Sequence, residues 1–177
     1  GAIAIVTTDI LNKSYFPEGI SRVRDLARQA AASDFYGDLH ELSVGAGGLV
    51  AGSALLNKGT DFAKSLLGTR TEIVDREVSR YSGTSISSAA FITGMAAFAA
   101  LDTCGRHIVN SKVDANGLGV WLKSEGDIVM HTIPMGLQVK PALGIERYPW
   151  ERPARRRGNT ILYVILLLLI LAAAAYY

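Results

Sequence analysis

The segment ILYVILLLLILAAAAYY, residues 161–177, constrains this chain more than any other feature. It carries no charge, no glycine and no proline, and its only polar side chains are tyrosines. Counted from Thr160, the run of about 18 residues rises ~27 Å as a helix, close to the ~30 Å hydrocarbon core of a bilayer. Lipid offers backbone groups no hydrogen-bond partner, so a segment that crosses it has to be helical. The expectation is a single C-terminal transmembrane helix over residues 160–177. The competing expectation, a core helix of a water-soluble fold, calls for some polar position along its length, and the run has none. Its place in the chain excludes a cleaved signal peptide.

Arg152, Arg155, Arg156 and Arg157 stand just before this run, and no charge follows it. An excess of Arg and Lys marks the cytoplasmic side of a span. The N-terminal domain is therefore expected in the cytoplasm, on a single-pass anchor in a bacterial inner membrane. Tyr163, Tyr176 and Tyr177 suit the two interfaces, where a ring lies in apolar surroundings and its hydroxyl stays wet. Ala172, Ala173, Ala174 and Ala175 offer a small-residue surface for close helix contact. Nothing is printed after Tyr177; if that is the true end, the helix is a contact surface as well as a tether. Gly1 without a methionine points to processing or an incomplete start.

What precedes the anchor reads as a compact, all-α soluble domain over residues 1–135, joined by a Pro/Gly/Arg linker over 136–159. The domain is rich in Ala, Gly, Leu and Ser and modest in aromatics, which favours closely packed helices over a β-sandwich. The formal net charge is only +2, and four arginines sit beside the anchor. The rest is near neutral, which argues against a nucleic-acid role. The lone cysteine, Cys104, permits no internal disulfide and reads as a small core residue.

Helix signals punctuate the domain. Residues 1–7 are a strand, an arm or a helix lead-in. Thr8 or Asp9 is expected to cap a short helix reaching Phe16. Pro17 suits the first turn of the next helix, whose apolar stripe is Ile20, Val23, Leu26, Ala27 and Ala30. Ser33 or Asp34 opens a short piece with Phe35, Tyr36 and Leu39. GAGG, residues 45–48, forms a flexible turn into a helix ending at Gly59. Thr60 or Asp61 caps another, closed by Gly68. Thr69 and Glu72 form a capping box for a helix whose buried side is Ile73, Val74, Val78 and Tyr81. Gly83 ends it, and Thr84 or Ser85 starts the central segment.

That central segment, residues 85–110, is small-residue rich at Ala89, Ala90, Gly94, Ala97 and Ala100, with Phe91, Met95, Phe98 and Leu101 as fillers. Residues 86–101 are apolar enough to compete as a second span. The stretch is short, however, and Asp102 and Arg106 follow it closely. Asp114 caps a helix with Leu118, Val120, Trp121 and Leu122. Gly126 and Asp127 start a last one, which Pro134 stops.

The chemistry expected of an enzyme is absent from the sequence. There is no Walker loop and no Gly-x-Ser-x-Gly elbow. GAGGLVAG matches a dinucleotide fingerprint only loosely, with Val50 in place of the third glycine. His40, His107 and His131 lack metal-ligand spacing. A capping or surface role is expected of His131, against a ligand role completed by a partner. No catalytic, cofactor-binding or metal-ligating residue is assigned, and no small-molecule substrate is expected.

Three stretches resemble the YidB-like family of uncharacterised bacterial helical proteins. They are TDILNKSYFPEGISRVRDLA, LLGTRTEIVDREVSRYSGTSISSAAFITGMAAFAAL and NGLGVWLKSEGDIVMHTIPMGL. The resemblance is to the branch with a transmembrane helix, often followed by an OmpA-like peptidoglycan-binding domain, which is absent here. It implies a helical fold, and because the family has no established catalytic residues, none is carried over.

Three functions follow as expectations. The first is a non-enzymatic accessory or scaffold subunit that braces a larger integral membrane complex of respiratory, photosynthetic or secretion type. Its partners are other membrane subunits and the bilayer. The second is a cell-envelope protein linking membrane to wall through a further C-terminal domain. The third is a membrane-surface enzyme or ligand binder.

Overall fold

The computed structural model describes residues 1–33 and 48–151. Among them it is wholly helical: α1 (Ala2–Lys13), α2 (Pro17–Ala32), α3 (Gly48–Leu67), a 3₁₀ turn (Gly68–Arg70), α4 (Thr71–Ser82), α5 (Ile86–Ser111), α6 (Ala115–Ser124), α7 (Gly126–His131) and α8 (Val139–Leu143). The all-α expectation therefore holds for the described part. The expected anchor over 160–177 lies outside the described residues. So do Arg152, Arg155, Arg156, Arg157, Tyr163, Tyr176, Tyr177, the run Ala172 to Ala175, His40, the short piece with Phe35, Tyr36 and Leu39, and the turn at residues 45–47.

Helix α5 is the hub, and α1, α2, α3, α4 and α6 all pack against it. It is long and apolar enough to cross a membrane by length and composition. A central core helix meets the same criteria, and the neighbours that surround α5 give it that position in the described fold. Ser85 caps it by accepting from Ser88 N, and Lys112 ends it in the left-handed region at φ 50°. Glycines set how closely the neighbours approach. A Cβ built on Gly105 would lie 2.1 Å from the Ala27 carbonyl oxygen of α2. Gly59 and Gly94 meet backbone to backbone, and a Cβ on Gly94 would lie 2.9 Å from the Gly59 carbonyl carbon.

This second contact corrects the expected helix end at Gly59. α3 runs through Gly59 to Leu67 because the glycine serves the crossing with α5, so Thr60 and Asp61 cap nothing. The true stop is Gly68 at φ 63°, as expected. The Thr69–Glu72 capping box does not form. Residues 68–70 wind as a 3₁₀ turn, and the Thr71 hydroxyl donates to the Gly68 carbonyl instead.

Two apolar clusters fill the body. One joins α2, α3, α5 and α6 around Val23, Leu66, Phe98, Leu101 and Leu118, with Phe62 stacked on Phe98 at 4.8 Å. The other joins the start of α1 to α4 and α8 around Ile5, Val74, Val78, Val139 and Leu143. α1 contributes to both, through Val6 and Ile10 on one side and Ile5 on the other.

Thr8 and Asp9 are fully buried inside α1 and cap nothing. The Thr8 hydroxyl donates to the Ala4 carbonyl at 2.7 Å, and Asp9 pairs with Lys13 one turn on. Ile73 and Tyr81, expected on the buried side of α4, are more than a third exposed, and so is Phe91 on α5. Their places in α4 are taken by Asp75 and Glu77.

The expected linker also needs correcting at its start. Leu137, Val139, Ala142, Leu143 and Tyr148 are buried against the body. Glu77 holds them there: its carboxylate accepts from Arg80 and from the Gln138 backbone N–H at 2.6 Å.

Candidate functional site

An apolar cleft of about 240 Å³ opens between α1, α5, α6 and α7. Helix α1 contributes Ile3, Thr7, Ile10 and Leu11, and α5 contributes Ala99, Ala100, Thr103 and Cys104. Trp121 and Leu122 of α6, Glu125 after it and Val129 of α7 close the remaining wall. The reason for the opening is local. Ala99, Ala100 and Thr103 are the small face of α5, and no large side chain from α1 or α6 fills the space in front of them. A dry cavity of about 150 Å³ is enough for one benzene ring, so this one takes about two or three aliphatic groups. It falls below the ~300–1,000 Å³ usual for small-molecule sites.

Its polar groups are largely committed elsewhere. The Thr7 hydroxyl donates to the Ile3 carbonyl at 2.8 Å, and the Thr103 hydroxyl donates to the Ala99 carbonyl at 2.9 Å. Cys104 is buried, and burial pushes its thiol up to about 12, which favours the protonated form at neutral pH. Trp121 is braced by His107, stacked at 4.0 Å. Glu125 is the one carboxylate on the wall. Such a lining holds apolar groups by burial and gives a reacting substrate no converging donors and acceptors.

A charge cluster around Asp9 is structural. Asp9, fully buried, pairs with Lys13 and lies 3.1 Å from Arg70 Nη2. Arg70 also donates to the Leu67 carbonyl at 3.2 Å and the Leu143 carbonyl at 2.9 Å. It thereby ties α1, the 3₁₀ turn and the end of α8 together. Burial lowers the Lys13 pKa, and Asp9 offsets part of that shift. A second buried carboxylate, Asp102, accepts from Arg106 one turn on at 2.8 Å.

Of the histidines singled out in the sequence, His131 is exposed, with its Nδ1 2.6 Å from the Asp127 carbonyl oxygen of its own helix. His107 serves as Trp121's stacking partner. Among the described residues no three His, Cys, Asp or Glu side chains gather to hold a metal ion. Sequence reasoning missed the cleft. Its signal, three small residues at 99, 100 and 103 of one helix, reads equally as a packing face.

No family model, curated protein or solved structure matches the chain. The YidB-like resemblance therefore rests on the quoted stretches alone.

Proposed function

We propose that this protein is a non-enzymatic accessory or scaffold subunit of a larger bacterial integral membrane complex. In this reading the apolar segment 160–177 anchors it, with the arginines at 152 and 155–157 on the cytoplasmic side. The helical body then receives apolar side chains of a membrane partner in the α1–α5–α6–α7 cleft. The observation that carries the reading is the cleft's chemistry: apolar walls, with both threonine hydroxyls already bonded to their own helices. A scaffold contact needs burial and shape, which this lining supplies, whereas catalysis needs oriented polar groups.

The test is a comparison of the full chain with Thr103→Trp, which places an indole in the cleft from an exposed position. Both are expressed in the native membrane and extracted in mild detergent. The expected outcome is a native-like helical spectrum for both and a large assembly for the parent alone. A parent that runs only as a folded monomer sinks the proposal.

A further inference from the structure

We propose that the cleft has a second occupant: the chain's own apolar segment, residues 161–171, which it shelters in water and releases to the bilayer. The inference rests on reading that segment as the membrane anchor.

Two considerations bring the cleft within the segment's reach. Trp150, next to the last described residue, lies near the end of α1 and near α6, two of the helices that form the cleft. Trp150 packs against Tyr15, with ring centroids 5.5 Å apart, and the Lys123 ammonium sits 4.7 Å from the same Tyr15 ring. Lys123 belongs to α6, the helix whose Trp121 and Leu122 line the cleft from another face. From there, residues 152–160 can span up to ~30 Å when extended, enough to bring residue 161 back to the opening. The chemistry also matches, because ILYVILLLLIL is aliphatic apart from Tyr163, and the cleft asks for aliphatic groups.

Tethering decides between occupants. A short connection gives the segment an effective concentration of order mM at the cleft, above that of any free partner or second copy. Size decides the direction of the switch. The cleft takes about two or three side chains, whereas a bilayer buries the whole segment, so contact with a membrane empties the cleft. Partner docking therefore becomes available only after insertion, and an uninserted copy does not compete for the assembly.

The experiment uses the full chain, made by cell-free synthesis without detergent, with Glu125 replaced by the photoactivatable p-benzoylphenylalanine. It is irradiated in buffer and again after mixing with phosphatidylethanolamine/phosphatidylglycerol vesicles, and flotation reports membrane binding. Mixed light- and heavy-isotope chains separate links within a chain from links between chains. The expected result is an intrachain link to a peptide from 161–177 in buffer, lost in the floated fraction. Adding Thr103→Trp should weaken the buffer link about fivefold or more, the effect of ~1 kcal/mol. The proposal is overturned by floated protein that showed no such link in buffer, by a link that persists after flotation, or by links only between light and heavy chains. Failure to float instead overturns the anchor reading, and the release step with it.

Discussion

Replacing Gly105 by alanine tests whether α2 and α5 are held at the separation that only a glycine allows. The new methyl would lie 2.1 Å from the Ala27 carbonyl oxygen, 2.7 Å from Ala31 Cβ and 2.9 Å from the Ala27 carbonyl carbon. An ordinary C···O contact is about 3.3 Å, so α2 has to retreat by roughly 1 Å. The obstacle is backbone, which no rotamer change moves. A gap of that size forfeits about a quarter to a half of the dispersion energy at the contact. The stripe that loses it, Ile20, Val23, Ala27 and Ala30, is the one α2 buries. Overpacking of this kind costs about 3 kcal/mol or slightly more. Helix propensity returns about 1 kcal/mol for Gly→Ala. The expected net loss is about 2–3 kcal/mol, a fall in melting temperature of roughly 5–10 °C for a domain of this size. Gly126→Ala is the matched control, since its methyl would meet only Leu11, at 3.5 Å and beyond, an ordinary contact. That variant should melt within about 2 °C of the parent or slightly above it. Thermal melts followed by circular dichroism on both variants decide the matter. Equal shifts, or a Gly105→Ala variant more stable than the parent, would refute the idea that this close approach limits the packing.

Two further perturbations concern charge. Burial pushes the Asp75 pKa above 3.8, with Glu72 adding to the rise and a hydrogen bond from Thr93 opposing it. The protonated form is thus favoured in the folded state, and this contribution is complete below pH 3.8 and lost as pH rises through the raised value. Asp75→Asn should flatten that decline, so that melting temperatures of variant and parent diverge as pH rises; parallel curves would remove Asp75 from the account. Glu77 is shifted the other way, chiefly by its hydrogen bonds to Arg80 and also by the Gln138 N–H, so its contribution is present above pH 4.5 and lost as pH falls through the lowered value. Glu77→Gln should raise hydrogen exchange at residues 137–143 while leaving α5 protected; unchanged exchange there would show that the apolar contacts alone hold the segment.

The local part of this fold was legible because local chemistry decides it. Pro17, Gly68, Gly83, Ser85 and Asp114 start or stop helices where the sequence places them, since each acts within one turn of itself. The failures share a different origin. Asp9 looks like a cap until Arg70 arrives from the 3₁₀ turn to share its burial with Lys13. Gly59 looks like a stop until Gly94 of another helix is pressed against it. Residues 136–151 look like a linker until Glu77 and Arg80 of α4 fasten them and Leu143 enters the core. In each case a partner distant in sequence overrides a sound local preference. The cleft was illegible for the same reason, since four separate segments build it and none carries a polar motif.

The glycine crossings and the cleft are linked consequences of one design. Small residues on α5 let α2 and α3 approach until backbone meets backbone, which fixes those helices in register. On the side facing α1 and α6, Ala99, Ala100 and Thr103 line the cleft, so the same small size goes with space in place of contact. Filling that space from within needs only a larger residue at 99 or 100, and a longer side chain there would add burial at about 25 cal/mol per Å². The space therefore forgoes stability that a simple substitution supplies. An opening of that kind, apolar and unfilled from within, fits the proposed role of receiving a hydrophobic element. The proposed anchor and the proposed partner compete for that one opening, and the bilayer, by removing the first, admits the second.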